Sequence, residues 1–170
     1  MNTTLLIILI GLLSVVTYQD FKSRAISWFL IPLLLITFIL YGITAIDIKE
    51  YITFFSLNVF MLLNILIGTT IVISIKEKKL TNIIDTYLGL GDILFFFILT
   101  TLFSPINYFI FLIGSILLFS IIFSINLFIS KKKKALFPLA GAMSVLLIIT
   151  ITAQQFTSSF NFYQDIIFLH

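Results

Sequence analysis

Residues 51–75 read YITFFSLNVFMLLNILIGTTIVISI, twenty-five positions without one Asp, Glu, Lys or Arg. As a helix rising about 1.5 Å per residue, the run is roughly 37 Å long, more than the ~30 Å hydrocarbon core of a bilayer. In lipid every backbone amide must be paired within its own segment or in a closed barrel. Barrel strands alternate apolar and polar side chains, and continuous Leu, Ile and Phe do not. The stretch is therefore predicted to be a membrane helix.

Working outward, five more apolar stretches follow the same logic, at 3–18, 27–46, 88–103, 108–129 and 135–153. The breaks between the six, at 19–26, 47–50, 76–87, 104–107 and 130–134, are too short to hold a domain. The 170 residues are 61% hydrophobic and 10% charged, with mean hydropathy +1.23. A soluble domain carries about 25% charged residues, so a soluble surface is excluded. The fold class expected is an all-α, polytopic membrane protein of about six transmembrane helices. One transmembrane domain covers 1–153, and 154–170 forms an outer tail whose aromatics, mixed with Ser, Asn and Asp, read as an interfacial belt. The first stretch resembles a signal peptide in length only. No basic residue precedes Leu5, and Tyr18-Gln19-Asp20 is a poor cleavage site, so it reads as a retained helix.

Orientation follows from Lys and Arg, which are retained in cytoplasmic loops. Lys22 and Arg24 lie in the first break, Lys76, Lys78 and Lys79 in the third, and four lysines at 131–134 in the fifth. Only Lys49 falls on the other side, beside Asp47 and Glu50. Both termini are thereby expected outside. The net charge of +3 belongs to the lipid bilayer and not to nucleic acid. The 131–134 lysines read as an anchor beside anionic headgroups or as a contact for an acidic partner.

Carboxylates close to lipid are costly and so point to function where no partner is evident. Of seven acids, Asp47, Glu50, Glu77 and Asp165 read as solvated charges. Asp85 is the solvated end of a loop or a further acid of a site. Asp20 closes the first helix, and Asp92 opens the fourth after Gly89-Leu90-Gly91, both at one depth on the cytoplasmic side. Taken singly, each reads as a helix cap. Taken together they form a pair, with Gly89 and Gly91 allowing close approach of a facing helix or an extended strand. Two adjacent carboxylates share a proton, so one acts as base on a water while the other polarises a carbonyl. That chemistry needs no metal and no cofactor. The chain has no cysteine, and its one histidine is His170. Asn58, Asn64 and Asn126 are expected to form interhelical hydrogen bonds.

Gly89-Leu90-Gly91-Asp92 matches the GxGD motif of membrane aspartyl peptidases, and its surroundings resemble the type IV prepilin peptidases. In that family the first catalytic aspartate follows an early helix and precedes a basic residue and then an Ile-Pro pair. Asp20-Phe21-Lys22-Ser23-Arg24-Ala25-Ile26-Ser27 is similar, with Ser27 in place of the proline. Phe137-Pro138-Leu139-Ala140-Gly141 is similar to the family's proline-containing approach to its last helices. Leu94 stands where the family often has a lysine, and there is neither a cysteine-rich insert nor an N-methyltransferase region.

The resemblance implies a short, peptidase-only form, multi-pass in the cell (inner) membrane, that cleaves the basic leader of prepilin-like membrane proteins at the cytoplasmic face. It implies Asp20 and Asp92 as catalytic, and Gly89, Gly91, Lys22 and Pro138 as substrate-binding or site-shaping. It implies no cofactor. Two other classes fit the same acids: a proton- or cation-coupled transporter, and a catalytically silent assembly factor of the same fold. Transport sites tend to lie near the midplane between internal repeats, whereas these acids lie near one surface and no repeat is visible.

Overall fold

The computed structural model describes residues 3–79, 84, 88–130, 138–156 and 161–165, without the side chains of 3 and 126–130. Asp85, the 131–134 lysines, Phe137, His170 and the Asn126 side chain lie outside the described residues. Among those described there are six helices and no strand: α1 (Thr3–Ser23), α2 (Leu30–Ala45), α3 (Ile48–Glu77), α4 (Leu90–Leu99), α5 (Pro105–Ser130) and α6 (Leu139–Phe156). Four of them, α1, α3, α5 and α6, are long and apolar enough to cross a membrane. At 16 and 10 residues, α2 and α4 are shorter apolar helices.

Helix ends follow local chemistry. Asp47 caps α3, its carboxylate accepting from the Lys49 amide at 3.1 Å, and Glu50 in the first turn and Lys76 in the last complement the helix dipole. Lys78 closes α3 in the left-handed region at φ 53°. α1 continues past Tyr18 and closes the same way, with Arg24 at φ 53° and its amide donating to the Asp20 carbonyl at 2.9 Å. Asp20 thus belongs to the last turn of a helix and not to a loop.

α1 packs against α6 and α2, α4 lies among α2, α3 and α6, and α5 joins α3 to α6. Leu6, Leu9, Leu13 and Val16 form the buried stripe of α1, and Met143, Leu147 and Ile151 that of α6, each at helical spacing.

The ten residues of α4 rise only about 15 Å, half the thickness of the hydrocarbon. Its end is inside the protein, with Leu99, Thr100 and Leu102 buried, and the backbone there needs internal partners. Asn58, fully buried, donates to the carbonyls of Thr100 at 2.9 Å and Phe103 at 2.7 Å, as expected of an interhelical asparagine. The space beyond is filled by residues 161–165, which corrects the expectation of an interfacial belt for this part of the tail. Phe162 and Tyr163 are buried against Phe103 and Tyr41. Asn107 donates to the carbonyls of Phe162 and Gln164, and the Tyr163 hydroxyl donates to that of Thr101. Asp165, expected to be solvated, is half-buried at the end of this plug. A helix too short to fill its place draws the aromatics inward. Asn64 also departs from expectation: it is exposed and donates to Phe60 of its own helix at 2.7 Å.

Candidate active site

Three helix ends build the site. Asp20 comes from the last turn of α1 and is 6% exposed. Asp92 comes from the first turn of α4, where Gly89 is the N-cap residue and its carbonyl accepts from the amides of Asp92 and Ile93. Asp92 is the third residue of that helix, so it is not the cap. Its half-buried carboxylate instead lies close over Gly89. A β-carbon at position 89 would lie 3.2 Å from Asp92 Oδ2, tighter than most side-chain contacts.

The third end is the N-terminus of α6. Pro138 precedes it, and the Pro138 carbonyl accepts from the Ala142 amide at 3.1 Å, opening the helix. The first amides of any helix have no partner in their own ladder, and the dipole makes that end attractive to anions. Here two consecutive amides are taken by the two aspartates: Ala140 donates to Asp92 Oδ1 at 2.9 Å, and Gly141 donates to Asp20 Oδ2. The two carboxylates are thus held by adjacent amides on one helical turn. Neither forms an ion pair with a described residue.

Gly141 makes the approach of α1 possible. A β-carbon there would lie 2.9 Å from both Asp20 Cβ and Asp20 Oδ2, and 3.2 Å from a ring carbon of Phe21. Atoms at these distances would have to shift.

The carboxylates face a cleft of about 410 Å³, walled by Ile26, Ile31, Leu90 and Leu94, with Trp28 and Arg24 at its edge. Trp28 is 81% exposed. The cleft is therefore lined mainly by apolar side chains, with two acids and one cation among them. Among the described residues no three His, Cys, Asp or Glu side chains group as they would around a metal ion.

The other sequence-derived site residues fall as follows. Gly91 lines the cleft, and a β-carbon there would touch only Ile26 Cδ1 at 3.7 Å, so Gly91 leaves room in the cleft and does not seat a facing helix. Pro138 stands at the start of the helix that holds both acids. Lys22 is turned away: its amine donates to the Tyr18 hydroxyl at 2.9 Å and lies 5.1 Å above that ring. Arg24 lines the cleft in its place. Leu94, at the position of the family lysine, adds apolar wall. At Ser27 the backbone N–H, which a proline would lack, donates to Gln19 Oε1 at 2.9 Å and ties the α1–α2 link to the helix.

Arg24 and Gly141 are the contributors that the sequence did not single out. In α1 Lys22 falls about 200° round the helix from Asp20, whereas Arg24 follows the last helical residue and lines the cleft with Asp20. Gly141 carries no such signal, since its importance comes from the pairing of α1 with α6. No protein-family model, curated protein or solved structure matches the chain.

Proposed function

We propose that the protein is a membrane aspartyl endopeptidase of the prepilin peptidase type, cleaving the leader of type IV prepilin-like proteins at the cytoplasmic face of the cell membrane. The observation that carries this reading is the seating of Asp20 and Asp92 on the consecutive amides of Gly141 and Ala140, where both line a largely apolar cleft. On this reading α2 and α4 complete a six-pass bundle, with both chain termini outside and the cleft at the cytoplasmic surface.

On this reading the two carboxyls, held on neighbouring amides of one helix, share one proton as the acids of an aspartyl peptidase do. The ionised carboxylate accepts a proton from water as the water oxygen attacks the scissile carbonyl carbon. The protonated carboxyl donates to the carbonyl oxygen as it gains charge. Collapse of the tetrahedral species breaks the C–N bond: the leaving amine takes the proton that the base had accepted from water, the other carboxyl recovers its own proton from the diol oxygen, and the products together contain the atoms of substrate and one water. The two α6 amides keep both carboxyls in place throughout. The apolar lining suits a peptide segment that continues into a membrane helix.

The test uses the purified chain in lipid vesicles with a prepilin-like substrate bearing a short basic leader. Asp20→Asn and Asp92→Asn are each expected to slow cleavage by at least about 10³-fold while helical content is unchanged. Cleavage at the wild-type rate by either variant would overturn the reading. Wild-type vesicles that pass protons or cations, lose that flux on Asp92→Asn and never cleave would favour transport instead.

A further inference from the structure

α3 is the least covered of the four long helices, with 11% of its apolar stretch buried against 39% for α6. Asn64 sits near its middle, sixteen positions after Ile48 and thirteen before Glu77, roughly 24 Å and 20 Å from the two ends. That is mid-bilayer, where a carboxamide facing hydrocarbon is costly unless its hydrogen bonds are made. The one bond it makes among the described residues is donated to Phe60 of its own helix, leaving one N–H and the amide oxygen directed outward. Asn58 answers the protein's internal need. Asn64, six residues on and rotated by about 240°, points away from it.

The surroundings are shaped to receive a helix. Leu57, Phe60, Asn64, Ile67 and Ile71 are exposed along one stripe, spaced three, four, three and four residues apart, the interval of helices crossing with a left-handed twist. Beside Asn64 a groove of about 250 Å³ runs between α3 and α5, lined by Phe60, Met61, Ile65 and Phe109.

We propose that this stripe of α3 is the interface of a homodimer in the membrane, closed by a reciprocal pair of hydrogen bonds between the Asn64 side chains of two copies. A second copy is the occupant that fits, for two reasons. Every copy inserts with the same orientation, so a two-fold axis along the membrane normal brings the two Asn64 residues together at equal depth. A carboxamide is also self-complementary, offering one donor and one acceptor to its mate. A crossing centred on Asn64 lets the ends diverge, which keeps Lys76, Lys78 and Lys79 of one copy apart from those of its mate. The inference is independent of the peptidase reading.

The chain has no cysteine, so single reporters are clean. Phe60→Cys and Ile67→Cys are expected to form disulfide-linked dimers in vesicles, whereas Leu117→Cys, equally lipid-facing but on α5, is not. Energy transfer between labelled copies, followed as lipid is added, gives the dissociation constant. Asn64→Leu is expected to raise it by about tenfold or more, and Asn64→Gln to stay near wild type. Circular dichroism checks that each variant retains its helices. The proposal is overturned by a monomer at every dilution, by an Asn64→Leu constant equal to wild type, by equal cross-linking at position 117, or by cross-links in native membranes that join α3 only to a different protein.

Discussion

Gly141 stands where a β-carbon would lie 2.9 Å from the Asp20 side chain, and its amide donates to that same carboxylate. One position thus sets both the spacing of α1 from α6 and the seat of one acid. Gly141→Ala is expected to push Asp20 off its amide and away from Asp92. A misplacement of about 1 Å costs on the order of 10²-fold in rate. Single-turnover cleavage by the variant, set beside its thermal unfolding, separates this loss from a general loss of fold.

Gly91 is expected to behave in the opposite way. The β-carbon of Gly91→Ala meets only Ile26 Cδ1, at 3.7 Å, and Ala favours a helix over Gly by about 0.8–1 kcal/mol. The variant should unfold at the wild-type temperature or above it. Its cleft is narrower, so KM for a peptide substrate should rise. Steady-state kinetics and a melting curve on one preparation decide the matter.

Arg24 and Lys22 are expected to part company. Arg24 borders the cleft that holds the acids, whereas Lys22 is engaged with Tyr18 on the opposite face of α1. Removing a cation that lines the cleft beside the acids should cost about tenfold in kcat/KM for Arg24→Ala. Lys22→Ala should stay within about twofold of wild type, since its contact is exposed. Equal losses from the two substitutions would contradict the placement of the cleft.

Asn58 should matter to stability and only indirectly to turnover. Asn58→Leu leaves the carbonyls of Thr100 and Phe103 buried without their donor, at a cost of about 2–3 kcal/mol. Reversible unfolding by a denaturing detergent measures it. Asn64→Leu, the same change on the lipid-facing side of the same helix, should leave the unfolding of the protomer nearly unchanged.

This contrast also shows what was legible in the sequence. Uninterrupted Leu, Ile and Phe place six helices within a few residues of their ends, because the thickness of lipid leaves so few ways to pair a backbone. The two acids stand out because charges in such a chain are rare. Asn58 and Asn64 are the same residue in the same apolar run, and only the packing of α3 tells which one faces protein. Phe162 and Tyr163 are likewise ambiguous, since an aromatic belt and an aromatic plug share a composition. The difference lies in α4, whose ten residues leave a space to be filled. Lys22 and Arg24 were separable in principle, because helical phase turns Lys22 away from Asp20 once α1 is carried to Ser23. Gly141 was not, since it depends on a contact between helices over a hundred residues apart in the chain.

α4 is a rod about 15 Å long with Asp92 at one tip and a pinned far end. The pins are Asn58 from α3 and Tyr163 from the tail, neither of which approaches the cleft. A lever held in this way carries disturbance along its length. Substitutions around Thr100, Phe103 or Phe162 are then expected to tune the reach of Asp92 from the far end of α4. A search for altered activity should then find variants around the far end of α4 as well as at the acids themselves.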